Sequence, residues 1–180
     1  MSRLESERLF LRPPEDRDAR ALALNASDYD IVKNTGRMPW PYVESDARAF
    51  IAHAREERAL GTEFIFAIVE KGQLSPMGGI GLRLKEGAFE LGYWLGKDFW
   101  GQGYATEAAG RVLRFAFEEL QAESVWAGWF FDNPASGRVL QKLGFRPAGS
   151  VSRYSIARGR SVLCHGTTLT RADFQRKKAA

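Results

Sequence analysis

The chain has 180 residues, enough for one domain with a sizeable core, and its hydrophobic fraction of 44% is ordinary for a globular protein. A formal charge of +4 and a pI near 9.4 would suit a polyanionic ligand. The basic residues are spread along the chain, however, and are denser only at Arg158, Arg160 and over residues 171–178. Neither zinc-finger spacing nor an RNP-like aromatic strand accompanies them, so a nucleic-acid partner ranks last. No apolar stretch reaches membrane length and no signal-type apolar segment opens the chain, so no membrane partner is expected. One cysteine, Cys164, cannot form an internal disulfide and fits a reducing cytoplasm, and His53 and His165 sit in separate elements, so no metal is expected.

In chain order, Leu9 to Arg12 is a short strand stopped by Pro13 and Pro14. Residues 15–26 and 28–34 are helical, and residues 36–42, with two prolines, form a loop. Ala47, Phe50, Ile51 and Ala54 mark an amphipathic helix over 46–59. Residues 63–70 and 77–84 pair as a hairpin around Lys71 and Gly72, and 89–95 adds the next strand. A glycine loop over 100–103 opens a helix whose apolar residues run from Ala105 through Ala108, Ala109, Val112, Leu113 and Ala116 to Leu120. A buried strand over 124–131 follows. A short helix then starts at Asn133, a good N-cap with Pro134 behind it, and ends at Gly144. Strands over 147–156 and 161–169 close the fold, and the basic tail over 176–178 reads as a frayed, solvated end. The pattern defines a mixed α/β (α+β) fold as one domain over 1–180. Its sheet is mostly antiparallel, with six to seven strands flanked by helices.

The segment Trp100-Gly101-Gln102-Gly103-Tyr104-Ala105-Thr106 carries the most chemistry. A helix start has free N–H groups and the positive end of the dipole, and no Ser, Thr, Asp or Asn precedes Gly103 to cap them. Such a start suits an external phosphate or pyrophosphate, although a tight strand-to-helix turn explains the glycines equally well. A P-loop would need Lys and then Ser or Thr where Tyr104 and Ala105 stand. Gly101-x-Gly103-x-x-Thr106 partly matches a dinucleotide fingerprint, with Asp132 as the acid, but too little chain follows to complete a doubly wound sheet.

Taken together, residues 90–145 resemble the GNAT superfamily of acyl-CoA-dependent N-acyltransferases. The glycine loop resembles its pyrophosphate motif, with Trp100 at the usual Gln or Arg position, and Asn133-Pro-Ala-Ser136 through Gly144-Phe145 resembles the motif that follows. Leu91-Gly-Tyr-Trp-Leu95, Glu5 to Arg12 and Trp40-Pro-Tyr42 are similar to the RimJ/RimL branch of ribosomal-protein N-terminal acetyltransferases. The resemblance implies a central splay between the strands ending near Leu95 and Phe130 that holds acetyl-CoA. Its cofactor-binding residues would be Tyr93, Trp94, Leu95, Trp100, Gly101, Gln102, Gly103, Tyr104, Ala105, Thr106, Asn133, Ser136 and Arg138.

The implied reaction is acetyl transfer to a primary amine by direct attack in a ternary complex. The acceptor would be a protein or peptide N-terminal amine, whose reference pKa of about 7.7–8.0 needs less help than lysine at about 10.4. Glu90 is the candidate base, sharing a strand face with Gly92 and Trp94; the residues equally fit a solvent-facing strand glutamate. The family's tyrosine acid is replaced by Leu140, and Ser136 is the candidate substitute. Ala148 likewise stands where the branch often has an acid, so the resemblance does not carry ribosomal-protein specificity to this chain. The departure at Leu140 keeps open a non-catalytic acyl-CoA-binding sensor. A small-molecule amine acceptor and a homodimer also remain open.

Overall fold

Strand β5 (Ala88–Leu95) organises the molecule because its two faces carry different residues. Phe89, Leu91, Tyr93 and Leu95 face one way and join the main core, while Trp94 packs into a second core on the other side. In the computed structural model, which describes residues 3–179, β5 lies near the middle of an eight-stranded sheet. The other strands are β1 (Leu4–Glu5), β2 (Leu9–Arg12), β3 (Glu63–Glu70), β4 (Pro76–Lys85), β6 (Ser124–Phe130), β7 (Arg146–Ser155) and β8 (Arg160–Thr170). Their order is β1-β2-β3-β4-β5-β6-β8-β7, and only the β5–β6 pair is parallel. The strand beyond the expected six to seven is β1, a two-residue pairing of Leu4 with Leu11 that is too short to show any periodicity.

The helices are α1 (Ala19–Asn25), α2 (Tyr29–Val32), α3 (Glu44–Leu60), α4 (Tyr104–Arg114), α5 (Pro134–Leu143) and α6 (Arg171–Ala179). On one face of the sheet, Ala108, Ala109, Val112 and Leu113 of α4 pack with Phe66, Ile80, Leu82 and Leu91, and α5 adds Leu140. The opposite face is covered by α1 and α3 through Leu22, Ala23, Ala47 and Ile51. Cross-strand partners share a face, so Glu63, Arg83, Glu90 and Trp126 form one row across β3, β4, β5 and β6 on the α3 side.

Two helical expectations need correction. The helix expected to run to Leu120 is α-helical only to Arg114; Phe115–Glu119 is a π-helical turn, closed by the Leu120 N–H on Phe115 O at 3.0 Å. Apolar spacing of three and four residues fits both windings, so the sequence does not separate them. The tail expected to fray forms α6, because Phe174 stacks on Phe117 at 4.7 Å and Lys178 pairs with Glu118 at 2.7 Å.

Candidate active site

The site begins where β5 and β6 part. Their parallel pairing covers only Phe89–Val125, Glu90–Trp126 and Leu91–Ala127. Beyond it, Gly92 to Leu95 are paired on the β4 side alone. The Gly96 N–H donates to Met77 O at 2.9 Å, so ladder alternation turns the main-chain groups of Tyr93 and Leu95 toward the gap. This is the splay that the family resemblance implied.

One wall of the gap leads to the start of α4. Gly103 caps the helix with φ of 83° and no side-chain bond, and Gly101 has φ of 74°. Both values lie in the left-handed region that favours glycine. A Cβ added at Gly101 would meet nothing within 4 Å, so the loop presents bare backbone, as a pyrophosphate cradle requires. The loop's side chains act as its scaffold. The Trp100 indole N–H donates to Leu95 O at 2.8 Å, and the Gln102 amide donates to Asp98 O at 2.8 Å. Tyr104 is buried and donates to Glu70 at 2.5 Å, beneath the Arg8 guanidinium at 4.4 Å. Arg8 also donates to Gln102 O at 3.1 Å and is ion-paired with Glu107 at 2.7 Å. Ala105 and Thr106 complete the first turn of α4, half-buried beside the main core.

The opposite wall is the start of α5. The Asn133 side chain accepts the Ser136 N–H at 3.3 Å, as an N-cap does. Gly137 lets the helix seat on Trp129 of β6; a Cβ there would lie 2.8 Å from the indole. That seating carries Ser136 to the gap, where its Oγ lies 2.8 Å from the Tyr93 hydroxyl. Burial pushes the Tyr93 phenol up to about 12, with the Ser136 hydrogen bond acting in the lowering direction. Leu140, one turn further on, is 1% exposed and packed in the main core. Arg138 is exposed and, among the described residues, has no ion-pair or hydrogen-bond partner.

On the α3 side of β5, a Cβ added at Gly92 would meet nothing within 4 Å, so the surface between Glu90 and Trp94 is open. Glu90 is not isolated there. Arg153 of β7 binds both its carboxylate oxygens, at 2.5 and 2.8 Å, and stacks over Trp126 at 4.8 Å. The hydrogen bonds from Arg153 to Glu90 raise the Arg153 pKa beyond its ordinary value. Two strands away, the buried Glu63 is held by Arg37 and accepts from His53 Nε2 at 3.2 Å. The β7–β8 tip closes this side. Arg158 forks onto Asp132 at 2.8 and 2.9 Å and donates to Lys33 O at 2.7 Å, while the Ile156 N–H donates to Gly36 O at 3.2 Å.

The structure therefore brings Tyr93, Leu95, the 100–106 loop, Asn133 and Ser136 around one gap; Trp94, expected there from the sequence, instead shares the opposite face of β5 with Glu90, because side chains alternate along the strand. Arg153, Arg37 and Arg158 were missed as site residues. The Ser- and Arg-rich character of residues 150–161 signals a functional surface, but a contact between positions 90 and 153 depends on β7 folding back and has no local signature. Among the described residues, no group of three or more metal-type side chains converges, and no helix is long and apolar enough to cross a membrane.

Residues 8–146 match the acetyltransferase (GNAT) domain, and the chain belongs to that family of N-acetyltransferases. It is similar to p20, an uncharacterized N-acetyltransferase of Bacillus licheniformis, with 29% identity over 177 residues covering 97% of this chain and 99% of the relative. It is 26% identical over 168 residues to the ribosomal protein uS5-alanine N-acetyltransferase of Escherichia coli, covering 87% of this chain and 84% of the relative. Among solved structures, Mycobacterium smegmatis RimJ in complex with CoA-disulfide superposes with a TM-score of 0.80 at 24% identity, covering 90% of this chain and 81% of that one.

Proposed function

We propose that the protein transfers the acetyl group of acetyl-CoA to a protein or peptide N-terminal amine, in a ternary complex, in the cytoplasm. The observation that carries this is the bare, uncapped start of α4 opening beside the unpaired end of β5. Backbone N–H groups of the 101–106 turn would hold the pyrophosphate, with Arg138 within reach of a further phosphate. The main chain at Tyr93 and Leu95, Asn133 and the walls of the gap would hold the pantetheine arm. Bound acetyl-CoA would supply the thioester, whose acetyl carbon would take the amine as the thiolate leaves.

Glu90 is placed to accept the amine proton, and an N-terminal amine asks less of it than a lysine would. A carboxylate offers about four lone-pair directions, and Arg153 takes two, so Glu90 keeps acceptor sites for the amine or a water. An α-amino group, near pKa 7.7–8.0, is partly neutral already and needs only a weak base; lysine needs a strong one. Glu90 takes the amine proton, directly or through water, and the Ser136 hydroxyl donates a hydrogen bond to the departing sulfur. A thiolate is a good leaving group, with pKa near 8.5, so a donor suffices there.

The experiment is calorimetric titration with acetyl-CoA, followed by thiol release over a panel of amines and peptides. Micromolar binding with turnover on N-terminal peptides is expected. A failure to bind acetyl-CoA overturns the reading, and turnover confined to lysine or small amines overturns the acceptor class. Within the site, Glu90→Gln is expected to slow turnover about tenfold to a hundredfold below pH 8, with acetyl-CoA affinity kept. An unchanged rate removes Glu90 from the chemistry.

A further inference from the structure

Leu140 of α5 lies in the core and offers no hydroxyl to the gap. A hydroxyl comes from the opposite wall: Tyr93, on β5, reaches across the gap to Ser136, about one helical turn before Leu140. The Tyr93 hydroxyl has a single hydrogen and two oxygens near it, Ser136 Oγ at 2.8 Å and Ser136 O at 3.2 Å. A serine hydroxyl likewise has one hydrogen and two acceptor lone pairs. If Ser136 gives its hydrogen to Tyr93, the phenol donates to Ser136 O instead and the serine has no hydrogen for the sulfur. If Tyr93 gives its hydrogen to Ser136 Oγ, the serine hydrogen is left free for a third atom.

We infer that Tyr93 is a positioning residue that, by donating to Ser136 Oγ, aims the Ser136 hydrogen at the leaving sulfur. In the step it serves, a bond forms from the amine nitrogen to the acetyl carbon and the carbon–sulfur bond breaks, its electron pair going to sulfur. The amine proton passes to Glu90 or water, and the thiolate takes its proton from water after departure, so Ser136 and Tyr93 keep theirs. The phenol stays protonated throughout the neutral range, since burial holds its pKa near 12.

This rests on the acetyl-transfer reading, and a double-mutant cycle on the full chain separates the two. Acetyl-CoA affinity and turnover of the wild type are measured first; no turnover on any amine overturns both. With turnover in hand, Tyr93→Phe is expected to lower kcat about tenfold to a hundredfold, with the acetyl-CoA KM within about twofold. Ser136→Ala is expected to cost as much, and adding Tyr93→Phe to Ser136→Ala is expected to cost nothing more in kcat. Ser136→Thr, which keeps the hydroxyl, is expected to restore most of the rate. Thermal melts read the structural contribution of the phenol separately. Additive losses in the cycle, or a Tyr93→Phe enzyme with lowered melting temperature and full kcat, overturn the inference.

Discussion

Gly103 is the residue on which cofactor capture turns. Its φ of 83° is accessible to glycine at little cost, and a β-branched side chain there would be strained and would press on the Arg8 guanidinium, 3.5 Å from a Cβ at that position, which itself holds Gln102 O of the loop. Gly103→Val is expected to abolish acetyl-CoA binding in calorimetry while the folded state survives, destabilised by about 1–3 kcal/mol; retained affinity would remove the loop from the site. Glu63 sets a pH dependence. Burial alone would raise its carboxyl, but the Arg37 and His53 bonds outweigh burial and hold it below the ordinary value of about 4.3. A depressed carboxyl contributes stability above the unfolded value, and loses it as pH falls through the folded one. Glu63→Gln is therefore expected to be less stable than wild type at pH 7, in urea melts. The gap should narrow below about pH 4, and a constant gap would mean that the pairing contributes nothing.

At the scale of elements, the β7–β8 hairpin decides the acceptor side. Its tip is pinned by Arg158, whose side chain is 7% exposed and whose bonds to Asp132, Lys33 and Asn34 join it to α2 and to the end of β6. The hydrogen bond from Arg158 lowers the Asp132 carboxyl, in keeping with a tight pair. Arg158→Ala is expected to cost about 1–2 kcal/mol in denaturant melts and to lower kcat/KM for the acceptor, with acetyl-CoA affinity unchanged. Equal losses for both substrates would show the hairpin supporting the whole sheet. The sequence marked this hairpin's strands to within a residue or so, because alternation and turn glycines are local. It marked α5 in full through Asn133, Pro134 and Gly144. The pinning was illegible: Arg158 and Lys33 meet only because α2 and β8 flank the same opening, a product of topology and not of spacing.

For the whole molecule, the sheet is two halves, β1–β5 and β6–β8, joined edge to edge by three paired positions. A ligand lying between them adds contacts to both, and binding only the folded state shifts its stability by mass action. At acetyl-CoA about 100 times its Kd, a gain of about 2.7 kcal/mol is expected, a rise of roughly 5–10 °C in the melting midpoint for a chain of this size. A single shifted transition supports ligand bridging of the halves; no shift removes acetyl-CoA from the gap. The splay was legible as a family feature, whereas its depth, set by the register at Leu91 and Ala127, was not. The division of β5 into two faces has a last consequence, for how this sequence can vary. Tyr93 faces the α5 wall and Glu90 and Trp94 the other side, so deleting or inserting one residue between Glu90 and Trp94 would exchange the surroundings of every side chain beyond it. Substitutions in that stretch act one by one, whereas a change in its length would move Trp94 and Leu95 to the wrong faces together.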